Sequence, residues 1–178
     1  MTIFLSGGCK SGKSSLAQTL AVALSKNSRR YYVATMIPHD GEDAARISRH
    51  IENRAGLGFE TLECGRDILR CLDGADESAC FLLDSVTALL ANEMFRDGQT
   101  DTAAPERLAR DLLAFTGRVK NAVFVSDYIY SDAALFEEGT EVYRQGLALV
   151  DRTLAKHCDS VAELCAGSSV WHKGVLPL

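Results

Sequence analysis

A glycine-rich turn near the N-terminus constrains the fold of this 178-residue chain more than any other feature. The pattern Gly7-x-x-x-x-Gly12-Lys13-Ser14 follows an apolar run and precedes a stretch of helical periodicity. Glycines let the backbone turn so that successive N–H groups point at an anion, and a following helix adds the positive end of its dipole. In this strand–turn–helix context the pattern predicts a phosphate-binding P-loop, with a chance glycine-rich turn as the alternative.

The residue types within the turn predict how a nucleotide would be held. Lys13 is expected to reach the β- and γ-phosphates, and the Ser14 hydroxyl is expected to ligate Mg²⁺. Asp84 ends the apolar run CFLLD, and the carboxyl end of a parallel strand is where such a metal would sit. Asp127, which ends VFVSD, competes for that role. The predicted phosphate-binding residues of the turn are Gly7, Gly8, Cys9, Lys10, Ser11, Gly12, Lys13 and Ser14.

Short apolar runs alternate with helical periodicity along the whole chain, which predicts one α/β domain over residues 1–178 with a mostly parallel sheet. We expect a P-loop NTPase-like, three-layer domain, because such runs are typical of strands covered on both faces. Strands are predicted at Ile3–Leu5, Tyr31–Ala34, Phe81–Leu83 and Ala122–Val125, with an edge hairpin from Ser160–Leu164 and Ser169–His172. Helices are predicted from Lys13 to about Leu24, Glu42 to about Arg54, Val86 to about Phe95, Pro105 to about Phe115 and Glu141 to about His157, and a surface loop at 97–104.

Composition and charge argue against several classes of protein. The net charge is −5 and the basic residues are scattered, whereas a nucleic-acid binder usually presents a basic face. No apolar run approaches the roughly 18 residues that a membrane span needs. The N-terminus lacks the charged region of a signal peptide, and the six cysteines form no C-x-x-C pair. Reduced thiols in a cytoplasm are the simplest expectation.

A second candidate site lies on the helix predicted after the second strand. Arg46, His50 and Arg54 recur at four-residue spacing, so they lie near one another beside an apolar stripe. A neutral imidazole is a competent nucleophile, and guanidinium groups neutralise charge on an attacked phosphate. On these residues alone, a solvated basic helix face with an ordinary histidine is the favoured alternative.

With these residues in view, the chain resembles the bifunctional adenosylcobinamide kinase / adenosylcobinamide-phosphate guanylyltransferase family of cobalamin biosynthesis. The Arg-Ile-x-x-His block ending at His50 is much more specific than the turn, which many nucleotide-binding families share. The similarity runs nearly end to end and is carried by Gly7–Ser14 (G-G-A-R-S-G-K-S in the family), Tyr32-Val33-Ala34-Thr35, Asp40-x-Glu42, Arg46-Ile47-x-x-His50, Arg54, Phe59-x-Thr61-x-Glu63, and Asp84-x-x-Thr87 with Leu90 and Asn92.

The resemblance implies two transfers from nucleotides. One moves a γ-phosphate from ATP or GTP to the aminopropanol hydroxyl of adenosylcobinamide, and the other moves GMP from GTP through a covalent guanylyl-histidine. His50 matches that histidine, so His50 and Lys13 are the implied catalytic residues. Thr35, Arg46, Arg54 and Glu63 join the implied nucleotide contacts. The resemblance also implies Mg²⁺, a corrinoid substrate and a homo-oligomer.

The chain departs from the family pattern after Ser126. The family reads N-E-V-G there, where this chain has Asp127-Tyr128-Ile129-Tyr130, and it reads F-R-D-x-x-G-x-x-N-Q on the next helix, where this chain has Tyr143-Arg144-Gln145 with Ala148, Asp151 and Arg152. The kinase step and its acceptor therefore stay open at this point. The alternatives are another P-loop small-molecule kinase, in which His50 is structural, and a nucleotide-binding regulatory module without chemistry.

Overall fold

A computed structural model describes residues 1–38, 41–96, 98–131, 134 and 136–175, and it leaves out the side chains of 42–46 and 53. In chain order the elements are β1 (Thr2–Gly7), α1 (Lys13–Ser25), β2 (Arg30–Ala34), α2 (Gly41–Asn53), β3 (Glu60–Glu63), a 3-10 turn (Ile68–Leu72), β4 (Cys80–Asp84), α3 (Val86–Met94), β5 (Phe95–Arg96), β6 (Gln99–Thr100), α4 (Ala104–Arg118), β7 (Asn121–Asp127), α5 (Glu138–His157), β8 (Ser160–Cys165) and β9 (Ser168–Lys173).

The main sheet has seven strands in the order β3-β2-β4-β7-β1-β8-β9. Every neighbouring pair is parallel except β8 and β9, which form an antiparallel hairpin at one edge. The predictions of a mostly parallel sheet and a C-terminal edge hairpin are therefore confirmed.

Two apolar clusters, one on each face of this sheet, make the domain three-layered. Successive strand residues point to opposite faces, so Ile3 and Leu5 of β1 pack with Leu20 of α1, while Phe4 belongs to the other face. That second face is covered by α3, α4 and α5, whose Leu89, Phe115 and Leu147 are fully buried. The predicted three-layer, P-loop NTPase-like architecture is confirmed.

Two short stretches of strand differ from the sequence predictions. β3 reads Glu-Thr-Leu-Glu and is mostly exposed, because it is an edge strand and carries no apolar run. The loop predicted at 97–104 is wrong in part, since β6 pairs with β5 in a small antiparallel hairpin and α4 begins at Ala104. Strands of two exposed residues are too short to produce a periodic pattern in the sequence.

The sheet register gathers the functional residues at one edge. Ala34 of β2 pairs with both Glu63 and Asp84, and Gly7 at the end of β1 pairs with Asp127. Because these strands are parallel, their carboxyl ends meet on the same side of the sheet. The P-loop leaves β1 at this edge.

Candidate active site

The P-loop has the backbone of an anion-binding turn. Gly12 has a φ of 96° immediately before α1, and Lys10 has a φ of 58°. The amide of Ser11 donates to the carbonyl of Gly8 at 3.3 Å, which closes the turn. No side chain caps the N-terminus of α1, so its first N–H groups have no side-chain acceptor from the capping residue. Such a terminus favours phosphate because of its aligned amides and positive dipole end.

Close packing against β8 requires a glycine at position 7. A Cβ atom built on Gly7 would fall inside van der Waals contact of the Leu164 carbonyl oxygen. Gly8, by contrast, has no neighbour within 4 Å of such an atom. Gly7 thus allows the P-loop strand to approach β8, apart from any role in phosphate binding.

Lys13 is buried beneath the loop, with 5% of its surface exposed. Its ammonium group donates to the carbonyls of Gly7 at 2.9 Å and Gly8 at 2.7 Å, and pairs with Asp127 Oδ1 at 2.7 Å. The amide of Asp127 is in turn held by the Thr87 hydroxyl at 2.8 Å. The structure therefore places Asp127 beside the P-loop lysine.

Asp84 lies at the end of β4, which β7 separates from the P-loop strand. Its Oδ2 accepts a hydrogen bond from the Tyr32 hydroxyl at 3.2 Å. Thr35 holds the backbone that follows Asp84, because its hydroxyl accepts a hydrogen bond from the Ser85 amide at 2.7 Å and donates one to the Ser85 carbonyl at 2.8 Å. Thr35 is fully buried. It contacts the backbone after Asp84 and does not reach the cavity.

A cavity of about 680 Å³ opens between the P-loop and α2. His50 of α2 is half-buried on its wall, facing the same space as the P-loop. The structure brings most of the predicted site residues to this wall, but not Gly7, Gly8 or Thr35, and the side chain of Arg46 lies outside the described residues. Those on the wall are Cys9, Lys10, Ser11, Gly12, Lys13, Ser14, His50, Arg54, Glu63 and Asp84.

Arg54 fastens the end of α2 to the sheet. Its guanidinium carbon lies 4.1 Å from the centre of the Tyr32 ring, and its Nη2 donates to the Thr61 hydroxyl at 3.1 Å. A cation over an aromatic face is attracted by the ring's negative face. Tyr32 therefore links Arg54 to Asp84, a connection that the sequence analysis did not anticipate. In the sequence, Tyr32 stood out only as part of the block Tyr32-Val33-Ala34-Thr35, which carries the family resemblance.

The donor set at the P-loop fits a nucleotide-bound Mg²⁺. Among the described residues no group of three or more His, Cys, Asp and Glu side chains could cage a metal ion. Mg²⁺ commonly takes only one or two protein ligands and completes its shell with waters and substrate phosphates. Ser14 and Asp84 on the same wall supply that number.

Comparison with known families decides the class of this site. The model of the family described as cobinamide kinase / cobinamide phosphate guanyltransferase, CobU, matches residues 3–171. The chain belongs to this family. It is thus an enzyme of the bifunctional kinase and guanylyltransferase class of cobalamin biosynthesis. Nucleotide and corrinoid substrates are consistent with membership of this family. No curated protein matches the CobU-family chain significantly.

Two solved structures resemble the CobU-family chain in fold, and a third matches it with a lower TM-score. A Pyrococcus horikoshii OT3 protein, Project ID PH0250, is 11% identical over 98% of this chain and 87% of its own, with a TM-score of 0.55. The ATP synthase subunit NeqB of Nanoarcheaum equitans is 11% identical over 92% of this chain and 45% of its own, with a TM-score of 0.52. The flagellar accessory protein FlaH of Methanocaldococcus jannaschii is 15% identical over 97% of this chain and 77% of its own, with a TM-score of 0.43. None of the helices described is both long and apolar enough to span a membrane.

Proposed function

We propose that this chain transfers GMP from GTP to adenosylcobinamide phosphate through a guanylyl group carried by His50, and that the same cavity phosphorylates adenosylcobinamide. One observation carries the proposal: His50 and the P-loop share the wall of a single cavity. A cavity of about 680 Å³ lies within the size range of small-molecule sites. A triphosphate held by the loop would therefore lie next to the imidazole.

In the guanylyl transfer, a neutral ring nitrogen of His50 attacks the α-phosphorus of GTP. The bond between the α-phosphorus and its bridging oxygen breaks, pyrophosphate leaves, and a phosphorus–nitrogen bond forms. A phosphate oxygen of adenosylcobinamide phosphate then attacks the same phosphorus and breaks that bond. The product is adenosylcobinamide-GDP, and the proton that the imidazole lost in the first step returns in the second.

The surrounding residues stabilise charge on the leaving pyrophosphate. The loop amides and Lys13 bind the β- and γ-phosphates, and Arg54, four residues after His50, lines the same cavity. Mg²⁺, when bound by Ser14 and Asp84, neutralises phosphate charge. Glu63 accepts hydrogen bonds from the nucleoside at the end of β3, and the contact that the resemblance implies for Arg46 stays a prediction.

In the kinase step, the substrate hydroxyl attacks the γ-phosphorus and the bond to the β-phosphate oxygen breaks. Lys13 is paired with Asp127, so phosphate binding requires the ammonium group to exchange this carboxylate for phosphate oxygens. The released Asp127 carboxylate then faces the cavity from the end of β7. The homo-oligomer that the resemblance implies and the cytoplasmic location expected from the N-terminal sequence and the cysteines stay predictions, which light scattering and cell fractionation would check.

Incubation with α-³²P-labelled GTP tests the histidine directly. The wild-type chain should acquire acid-labile, alkali-stable label, and His50→Ala should acquire none while still binding GTP. His157→Ala is the matched control, because His157 is exposed on α5, and it should label like the wild type. Label on His50→Ala would refute the role of His50. A wild type without label would favour one of the two alternatives, another P-loop kinase or a regulatory module without chemistry. Nucleotide turnover in the presence of adenosylcobinamide would then distinguish a kinase from a regulatory module.

A further inference from the structure

A second cavity, of about 370 Å³, lies on the opposite face of the sheet. Its wall is formed by Ser6 of β1, by Asp151 and Ala155 of α5, and by Tyr128 and Tyr130 from the segment that follows β7. It has no wall residue in common with the nucleotide cavity. The CobU-family chain thus has two separate cavities at the same end of the sheet.

The floor of this second cavity contains unsatisfied polar atoms. Asp151 is 2% exposed, and its Oδ2 accepts from the Ser126 hydroxyl at 3.0 Å and the Tyr130 hydroxyl at 2.9 Å. Its Oδ1 and the Ser6 hydroxyl oxygen are buried with no hydrogen-bond partner among the described residues. Buried polar atoms are almost always paired, so each such atom calls for an explanation. A ligand that donates hydrogen bonds would satisfy both atoms.

The sides and mouth of the cavity narrow the class of that ligand. The rings of Tyr128 and Tyr130 lie 6.5 Å apart and give the wall an apolar surface. At the rim, Glu163 pairs with His172 at 3.2 Å. Arg152 and His172 line the cavity together with Asp151 and Glu163, so its walls do not carry charge of one sign only. The ligand that fits has an apolar edge and neutral N–H donors, as a molecule rimmed by methyl and amide groups has.

The two cavities approach each other at the ends of β1 and β7. Asp127 lines the nucleotide cavity and the next residue, Tyr128, lines the second one. The amide of Tyr128 donates to the carbonyl of Gly7 at 3.3 Å, where the P-loop begins. A ligand body in the second cavity therefore lies within reach, by a flexible arm, of phosphates in the first.

We infer that the second cavity holds one edge of the corrin ring through its amide side chains, while the aminopropanol arm reaches past Asp127 to the P-loop. The inference rests on the proposed function for the identity of the substrate. A volume of about 370 Å³ is too small for a whole corrinoid, so it accommodates the ring edge with one or two amides, and the remainder of the ring stays outside. The amide N–H groups donate to Asp151 and Ser6 at the floor.

Binding of adenosylcobinamide phosphate to variants that fill the cavity tests this inference. Ala155→Phe fills it from α5, and Ser131→Trp obstructs it from an exposed position on the rim, where folding is not at risk. Lys156→Phe is the matched control, because Lys156 is the exposed neighbour on α5 and does not line the cavity. Affinity for adenosylcobinamide phosphate is measured by equilibrium dialysis. Guanylylation of His50 is measured in the same preparations with α-labelled GTP.

The expected result is at least a tenfold weaker affinity for adenosylcobinamide phosphate in Ala155→Phe and Ser131→Trp, with wild-type affinity in Lys156→Phe and wild-type labelling in all three. If Ala155→Phe and Ser131→Trp label normally and also bind the corrinoid like the wild type, the proposed subsite is wrong. The proposed function is not contradicted by that result. A wild type that neither labels nor binds the corrinoid would overturn the proposed function itself.

Discussion

At Gly7 the P-loop strand leaves no room for a methyl group, because the Leu164 carbonyl of β8 occupies the position. Gly7→Ala should therefore lower the free energy of unfolding by about 1–3 kcal/mol, since backbone must shift to admit the side chain. Gly8→Ala is the comparison, because its Cβ would meet nothing within 4 Å, and it should change stability by no more than about 0.5 kcal/mol. Urea denaturation of both variants checks this, and equal losses would contradict it.

Asp151 makes stability depend on pH with a definite sign. Burial raises the pKa of this carboxyl from 3.8 to about 7, so between these values the folded state holds a proton that the unfolded state does not. Stability should fall as pH rises through that window and level off above it, by an amount of about 4 kcal/mol from Asp151 alone. Asp151→Asn removes the effect, so its advantage over the wild type should grow from pH 4.5 to pH 7.5 in urea titrations.

The control for this pH dependence is Asp159→Asn. The amide of Thr2 lowers the pKa of Asp159, so this carboxylate is charged in both folded and unfolded states above about pH 5. The difference between Asp159→Asn and the wild type should therefore be flat from pH 5 to pH 7.5. A flat difference for Asp151→Asn as well would show that the buried carboxyl is not the cause.

Helix α2 carries His50, and Arg54 holds its end to β2 and β3 through Tyr32 and Thr61. Arg54→Lys keeps the charge but loses the planar stack and the fixed hydrogen bond. We expect at least a tenfold slower guanylylation and faster amide hydrogen exchange confined to α2. Arg29→Lys, which changes an exposed arginine directly before β2, should change neither. Unchanged exchange in α2 after Arg54→Lys would show that another contact anchors the helix.

How far the sequence predicts the elements depends on burial. The ends of the strands covered on both faces were predicted to within about two residues, because turn residues bound their apolar runs. Phe81–Leu83, predicted within β4, is an example. β3 was missed because an exposed edge strand carries no such run. At the site, the glycine turn and the block ending at His50 predicted the cavity wall. The Lys13–Asp127 pair was not predicted, because β7 inserts between β1 and β4 and strand order is not readable from local pattern.

Across the whole molecule, the two cavities lie on opposite faces of the sheet and approach each other at the ends of β1 and β7. Because they share no wall residue, an α,β-methylene analogue of GTP and adenosylcobinamide phosphate should bind together. Each ligand at 100 times its Kd should raise the free energy of unfolding by about 2.7 kcal/mol. With both ligands the increment should exceed that of either ligand alone but fall short of the two added together, because the phosphorylated arm enters the nucleotide cavity beside the triphosphate. The α,β-methylene group prevents guanylyl transfer, so urea denaturation with each ligand and with both reports binding alone. An increment with both ligands no larger than with one would mean that they compete for a single cavity.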